Sequence, residues 1–143
     1  MKEIIKYPNC FVCGEKNQHG LQAKFYYDGQ KAVSEVIALE KFEGYHGIYH
    51  GGIISTILDE IMIKAILAEN IYVVTAEMTV RYIKPVNTGD KLKFSGWIIK
   101  NKGRLYFAEG EVANQLGEIC ASAIGKYIKA GPDLEDRLLE SLE

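Results

Sequence analysis

A histidine followed by two glycines, His50-Gly51-Gly52, stands directly before a long apolar segment that begins at Ile53. Backbone N–H groups in the first turn of a helix have no acceptor within the helix, and the helix dipole adds positive potential there. Because glycines carry no side chain, a carbonyl oxygen of another molecule can approach those N–H groups closely. The segment could therefore stabilise an oxyanion. The alternative is that the glycines only allow a tight junction between loop and helix.

Asp59 lies two turns into the same apolar segment, where an ionised carboxylate is costly unless it is paired or used. An acid in such a place is a candidate general base or nucleophile. The alternative is a solvated polar stripe, in which Asp59 and Glu60 face water and Lys64 pairs with Glu60 one turn away. The residues alone leave both interpretations open.

Cys10 and Cys13 form a C-x-x-C pair, and His19 follows six residues later. These residues supply at most three zinc ligands, and no second pair follows at the spacing of a zinc finger. The pair also does not lie between a strand and a helix, as a thioredoxin-type redox motif would. We therefore expect neither a metal nor another cofactor. Cys120 is expected to be a small core residue within a strand.

The elements that position these residues follow from the hydrophobic pattern. Asp28-Gly29 predicts a tight turn between two strands, and residues 53–68 predict a buried helix. Residues 73–83 predict the first of four further strands, and a short amphipathic helix near Asp133 ends the chain. The order predicts an α+β fold in which one long helix lies across a curved antiparallel sheet. We divide the chain into an irregular N-terminal cap segment, residues 1–20, and one domain, residues 21–143.

The composition limits the class of protein. The chain has 143 residues, of which 48% are hydrophobic and 25% charged, with a formal net charge of -2. These values are typical of one soluble globular domain and exclude a disordered chain. The cations are scattered, and no apolar stretch reaches the roughly 20 residues of a membrane span, so we expect no nucleic-acid or membrane partner. The lack of a signal peptide and an odd number of cysteines predict a cytoplasmic protein.

Several of these features together resemble a known family. The run from Gly47 to Gly52 is followed by Asp59, nine residues after the histidine, and later by a strand ending in Tyr82-Ile83-Lys84-Pro85. This combination is similar to the PaaI-like acyl-CoA thioesterases of the hotdog fold, over about residues 21–128. The N-terminal run Cys10-Phe11-Val12-Cys13-Gly14 is similar to a signature of one subgroup of hotdog proteins.

The resemblance implies a hotdog domain that hydrolyses the thioester bond of a small-to-medium acyl-CoA. It implies that Asp59 attacks the thioester or activates water and that the Gly51 N–H polarises the thioester carbonyl. Thr75 would orient the water, and His50 would shape the oxyanion loop. Relatives often place Asn or Gln where this chain has Gly44, so the usual side-chain amide is absent.

Substrate binding is expected at a further set of residues: Gly52, Tyr45, His46, Lys102 and Arg104. Tyr45, His46 or a water molecule would substitute for the missing amide, or the activity would be weak. Lys102 and Arg104 flank a hairpin tip, where they could hold the phosphates of coenzyme A or simply be solvated.

The resemblance also implies homodimers, or dimers of dimers, whose active sites combine residues of two subunits. Two other functions remain open at this stage. One is a non-catalytic module that binds acyl-CoA. The other is a hotdog dehydratase or hydratase, in which His50 and Asp59 would imitate a histidine with an acidic partner.

Overall fold

The computed structural model describes residues 1–142. Its strands and helices, in chain order, are β1 (Lys2–Glu3), β2 (Tyr26–Tyr27), β3 (Ala32–Ile37), α1 (Gly51–Leu67), β4 (Val73–Tyr82), β5 (Lys91–Lys102), β6 (Leu105–Ala113), β7 (Ile119–Lys129) and α2 (Pro132–Glu140). A single turn of 3-10 helix at Glu40–Phe42 precedes α1. Within residues 1–142, neither α-helix combines the length and the hydropathy that crossing a bilayer would require.

All seven strands form one antiparallel sheet in the order β1-β2-β3-β5-β6-β7-β4. The helix α1 packs against five of these strands, β3 to β7. One long helix held by a curved antiparallel sheet is the hotdog fold, so the expected fold class is confirmed. Strand β4 lies at the edge of the sheet and pairs only with β7.

The helix α1 supplies much of the core. Its buried apolar side chains are Ile54, Ile57, Leu58, Ile61, Met62, Ala65, Ile66 and Leu67. A glycine on β5 brings this helix close to the sheet, because a Cβ atom on Gly96 would lie 2.7 Å from the carbonyl oxygen of Ile61. Any larger residue at Gly96 would therefore push the helix off the sheet.

Three boundaries differ from the sequence-based expectation, each for a local reason. The helix begins at Gly51 because the His50 side chain caps its N-terminus. The first expected strand is reduced to Tyr26–Tyr27, since Gln22 has a φ of 51° and interrupts the extended run. The last helix begins at Pro132, whose ring fixes φ near the helical value. The N-terminal segment is mostly turns, but its β1 pairs with β2.

Candidate active site

The start of α1 presents one backbone donor to solvent. The Gly52 N–H donates to Nδ1 of His50 at 2.8 Å, so this amide and one of the two ring nitrogens are occupied. The carbonyl of His50 accepts from Ile53 and Ile54. No hydrogen bond among residues 1–142 uses the N–H of Gly51. Gly51, which the sequence analysis chose for the oxyanion, is thus the residue whose amide remains available, and His50 acts as the cap.

Tyr82, at the end of β4, fixes the position of this helix start. Its hydroxyl donates to the carbonyl oxygen of Gly51 at 2.9 Å and also contacts the hydroxyl of Ser55. Its ring lies so close to the helix that a Cβ atom on Gly51 would be 3.3 Å from Cε1. The sequence predicts no separate role for Tyr82, since an aromatic residue in a strand is typical of packing.

A groove of about 670 Å³ opens in front of this helix start. Its lining consists of Glu43, Gly44, Tyr45, Ile48, Tyr49, His50, Gly51, Gly52 and Tyr82. Two of the expected substrate-binding residues, Gly52 and Tyr45, therefore line the groove, whereas His46 is exposed beside it. The side chain of Tyr45 is 84% exposed and points to no described partner, so it is free to contact a bound molecule.

Asp59 is held by two hydroxyl groups. The hydroxyl of Thr75 and that of Tyr127 each donate to Oδ1 of Asp59 at 2.9 Å. Within residues 1–142 no group donates to Oδ2, which leaves that oxygen available for chemistry. The carboxylate is half-buried. It is therefore an acid that two hydroxyl donors orient through one oxygen, at a position that is still partly open to solvent.

Tyr127 is a site residue that the sequence analysis missed. It lies on β7, in register with Thr75 on β4, and is fully buried. Burial, and then the charge of Asp59, raise the pKa of Tyr127 above its ordinary value, so the hydroxyl remains a neutral donor. Gly125 makes room for the ring, since a Cβ atom there would lie 2.4 Å from Cε2 of Tyr127.

Thr75 reaches Asp59 at an irregular point of β4. The register between β4 and β7 shifts between Thr75 and Glu77, which marks a β-bulge. Bulges redirect side chains and are frequent beside active sites. The sequence carries no local sign of this bulge.

Glu60, the neighbour of Asp59, faces a different part of the molecule. Its Oε2 lies 3.8 Å from Nζ of Lys64, as expected from their spacing, but both side chains are largely buried. Burial, with the nearby Cys10 thiol as the next cause, raises the pKa of Glu60 to about 7. The two adjacent acids therefore have separate environments.

One chain does not bring the whole expected site together. Asp59 is eight residues after Gly51 on α1, which corresponds to about 12 Å along the helix axis. Asp59 does not line the groove. Lys102 and Arg104 lie at the turn between β5 and β6, and neither lines the groove; Arg104 donates to the carbonyl of Lys129 at 2.8 Å.

The comparisons with known proteins give the family. The family model described as Thioesterase superfamily matches residues 46–121, which include the start of α1, Asp59 and Thr75. A search of curated protein sequences finds no match.

Solved structures share the fold. One, from Streptococcus mutans UA159 and bound to acetyl CoA, is 23% identical, with a TM-score of 0.72 over 76% of this chain and 89% of that chain. The PaaI protein of the E. coli phenylacetic acid degradation operon is 20% identical, with a TM-score of 0.73 over 78% of this chain and 81% of that one.

A third relative is a hypothetical thioesterase protein from Streptococcus pneumoniae TIGR4, of which alanine-substituted forms have been solved. The form with an aspartate replaced is 18% identical, with a TM-score of 0.72 over 76% of this chain and 91% of that chain. Another form has a threonine replaced, sixteen residues further along that chain. The family match and the shared fold together lead to one conclusion: this chain belongs to the thioesterase superfamily and has the hotdog fold.

Proposed function

We propose that this chain hydrolyses the thioester bond of a small-to-medium acyl-CoA. Asp59 is the base or nucleophile, and the N–H of Gly51 stabilises the oxyanion. The observation that carries the proposal is the oriented carboxylate of Asp59, which two hydroxyl donors hold by one oxygen while the other stays available. An acidic side chain on the surface that had no function would not need two hydroxyl donors to orient it.

The known structures support this assignment. The two substituted positions of the S. pneumoniae protein are an aspartate and a threonine sixteen residues apart. Asp59 and Thr75, which are joined by a hydrogen bond here, have the same separation. The acetyl CoA in the S. mutans structure supports a ligand of the coenzyme A type.

Hydrolysis of the thioester can follow either of two routes. As a base, Oδ2 of Asp59 takes a proton from water, and the hydroxide adds to the carbonyl carbon. As a nucleophile, Oδ2 adds directly and forms an anhydride that water then cleaves. In both routes the negative charge on the carbonyl oxygen is stabilised by the Gly51 N–H, and its collapse releases the CoA thiolate. In the first route the thiolate takes the proton that Asp59 received from water, and in the second it takes one from solvent.

The distance between the two groups is the reason to propose that a second copy of the chain contributes to each site. Reacting atoms must lie about 3 to 3.5 Å apart, and Asp59 and Gly51 are about 12 Å apart along the axis of one helix, so we assign the two groups of one site to different copies of the chain. We propose a homodimer in which Asp59 of one subunit faces Gly51 of the other. Each dimer then has two equivalent sites, and two dimers could associate further.

The edge strand β4 supplies a surface for this dimer. Its outer edge has no partner strand within residues 1–142, and nearby apolar side chains such as Tyr82 and Ile124 are each 54% exposed. If two β4 strands pair antiparallel about the middle of the strand, near Met78, Thr75 of one copy comes opposite Tyr82 of the other. Thr75 binds Asp59 and Tyr82 binds Gly51, so this pairing assembles both halves of the site.

A non-catalytic acyl-CoA binding module is the second candidate. It is favoured by Gly44, which supplies no side-chain amide to the groove as a second oxyanion donor. Such a module would bind acyl-CoA at equilibrium without releasing thiol.

The test is a thiol-release assay across acyl-CoA esters that differ in chain length and aromatic character. We expect hydrolysis of at least one ester. Asp59→Asn should remove the activity while the fold and acyl-CoA binding are kept. Asp136→Asn, which changes an exposed acid on α2, is the matched control and should leave turnover unaffected. Binding without hydrolysis by the unsubstituted protein would instead establish the binding module.

A further inference from the structure

The N-terminal segment brings two thiols against the central helix, beside Glu60 rather than Asp59. The sulfur atoms of Cys10 and Cys13 and a carboxylate oxygen of Glu60 all lie within 4.8 Å of one another. Cys10 and Glu60 are fifty residues apart in the chain, and Sγ of Cys10 is 3.9 Å from Oε2 of Glu60. Sequence spacing had offered His19 as a third ligand, but His19 is exposed and is not a member of this cluster.

The backbone around the two cysteines is shaped to hold sulfur atoms. The N–H of Val12 points to Sγ of Cys10 at 3.3 Å, and the N–H of Tyr7 points to Sγ of Cys13 at 3.4 Å. The turn is so tight that a Cβ atom on Gly14 would lie 2.5 Å from the backbone of Cys10. Donors aimed at sulfur favour the thiolate, which is the form that binds metals.

A divalent cation would balance the charge of the ligands that bind it. With a metal bound, the two cysteines would be thiolates and, with the Glu60 carboxylate, would carry three negative charges, against the one positive charge of Lys64. Nζ of Lys64 is 3.5 Å from Sγ of Cys13 and 3.8 Å from Oε2 of Glu60, and it also donates to the carbonyl of Ile5. Unbalanced charge in a buried place is costly, and a dication would bring the sum to zero.

The spacing of the donors suits zinc. A tetrahedral zinc ion with bonds of about 2.3 Å to sulfur and about 2.0 Å to oxygen separates its ligand atoms by roughly 3.5 to 3.8 Å. The observed 3.9 Å between Cys10 and Glu60 is close to that separation. A cavity of about 160 Å³ borders Cys10, Glu60 and Lys64 and has room for a water molecule in the fourth position.

We propose that Cys10, Cys13 and Glu60 bind one zinc ion, which fastens the N-terminal segment to helix α1. Lys64 is then the outer-shell donor that balances the charge of the ligands. This role explains why the segment that carries the two cysteines packs on the helix, and why a lysine is buried there. The proposal stands independently of the thioesterase chemistry, since none of its three ligands takes part in that chemistry.

The test is a titration of the full-length reduced protein with zinc, in competition with a chromophoric chelator, together with the metal content of the purified protein. We expect one zinc per chain. Cys10→Ser, Cys13→Ser and Glu60→Gln should each weaken zinc binding at least tenfold, and cobalt should give the absorption of a tetrahedral thiolate site. Circular dichroism checks that each variant is folded. Glu60→Gln has nearly the same shape as the unsubstituted residue, so it tests the proposal even if the cysteine variants do not fold.

Matched controls separate this site from other binding. Cys120→Ser removes a buried cysteine outside the cluster, and His19→Ala removes the exposed histidine; both should bind zinc like the unsubstituted protein. Asp59→Asn should also keep full zinc affinity, so a failure of the enzyme proposal would leave this one unaffected. The proposal is overturned if the reduced protein binds no stoichiometric zinc, or if binding survives in a Cys10→Ser, Cys13→Ser double variant.

Discussion

Removing the amide hydrogen of Gly51 should remove most of the catalysis without breaking the helix. Proline is tolerated at the first helical position, where its missing N–H costs no intrahelical hydrogen bond, and Gly51 is that position. The residue before a proline must be extended, and His50 already has a ψ of 128°. The substitution breaks no hydrogen bond among residues 1–142, because no acceptor there receives the Gly51 N–H. Gly51→Pro is therefore an amide deletion that the local backbone accommodates.

The magnitude follows from the role of one oxyanion donor, which contributes about 2.7 to 4 kcal/mol to the transition state. That corresponds to a loss of about 100- to 1000-fold in kcat, with KM little changed, because the bond strengthens only as charge develops. Steady-state thiol release with the best acyl-CoA substrate measures both constants.

Gly51→Ala is the matched control for the added bulk. Its Cβ atom would lie 3.3 Å from Cε1 of Tyr82, a contact that a small shift of the ring relieves, and its N–H remains. We expect Gly51→Ala to keep kcat within about threefold. The reasoning is refuted if the proline variant is folded and keeps more than a tenth of the kcat of the alanine variant, or if both variants lose activity equally.

Three further predictions concern tyrosines that the sequence analysis did not single out. Tyr127→Phe removes a hydrogen bond to the charged carboxylate of Asp59, which is worth about 1.5 to 3 kcal/mol, so kcat should fall about tenfold or more at constant KM. A kcat within twofold of that of the unsubstituted protein would contradict a positioning role for Tyr127. Tyr49 is buried, and within residues 1–142 its hydroxyl has no hydrogen-bond partner. Tyr49→Phe should therefore raise the free energy of unfolding, measured in urea, by up to about 1 kcal/mol. A clear decrease in the free energy of unfolding would contradict this. Burial raises the pKa of Tyr7 and of Tyr49 to about 12, above the value near 10 of the unfolded chain. Between about pH 10 and pH 12 the folded state then keeps protons that the unfolded state loses. The urea concentration at the midpoint of unfolding should therefore decrease as the pH is raised across this range, and less steeply in Tyr49→Phe. A midpoint that does not change with pH would contradict this prediction.

The elements built from local signals were predictable from the sequence. The apolar run after His50 gave α1 to within two residues, and the β-branched run before Pro85 gave β4. Both signals depend on residues next to one another in the chain, as periodicity always does. The first hairpin was shortened by Gln22, whose left-handed backbone no simple pattern indicates.

The partners of the key side chains were not predictable, because they come from distant parts of the chain. Tyr127 is 68 residues from Asp59, and the packing of β7 against α1 brings the two together. The same holds for Glu60 and Cys10, which are fifty residues apart. A sequence shows which residues could do chemistry, whereas the register of the strands decides which of them meet.

Mixing two inactive variants tests most directly whether each site is shared between two copies. Asp59→Asn and Gly51→Pro subunits are refolded together, or expressed together, and the dimers are assayed for thiol release. If Asp59 of one subunit acts with Gly51 of the other, each mixed dimer has one intact site, and a random mixture should recover about a quarter of the unsubstituted activity. A mixture of confirmed mixed dimers that stays as inactive as either variant alone would contradict the shared site.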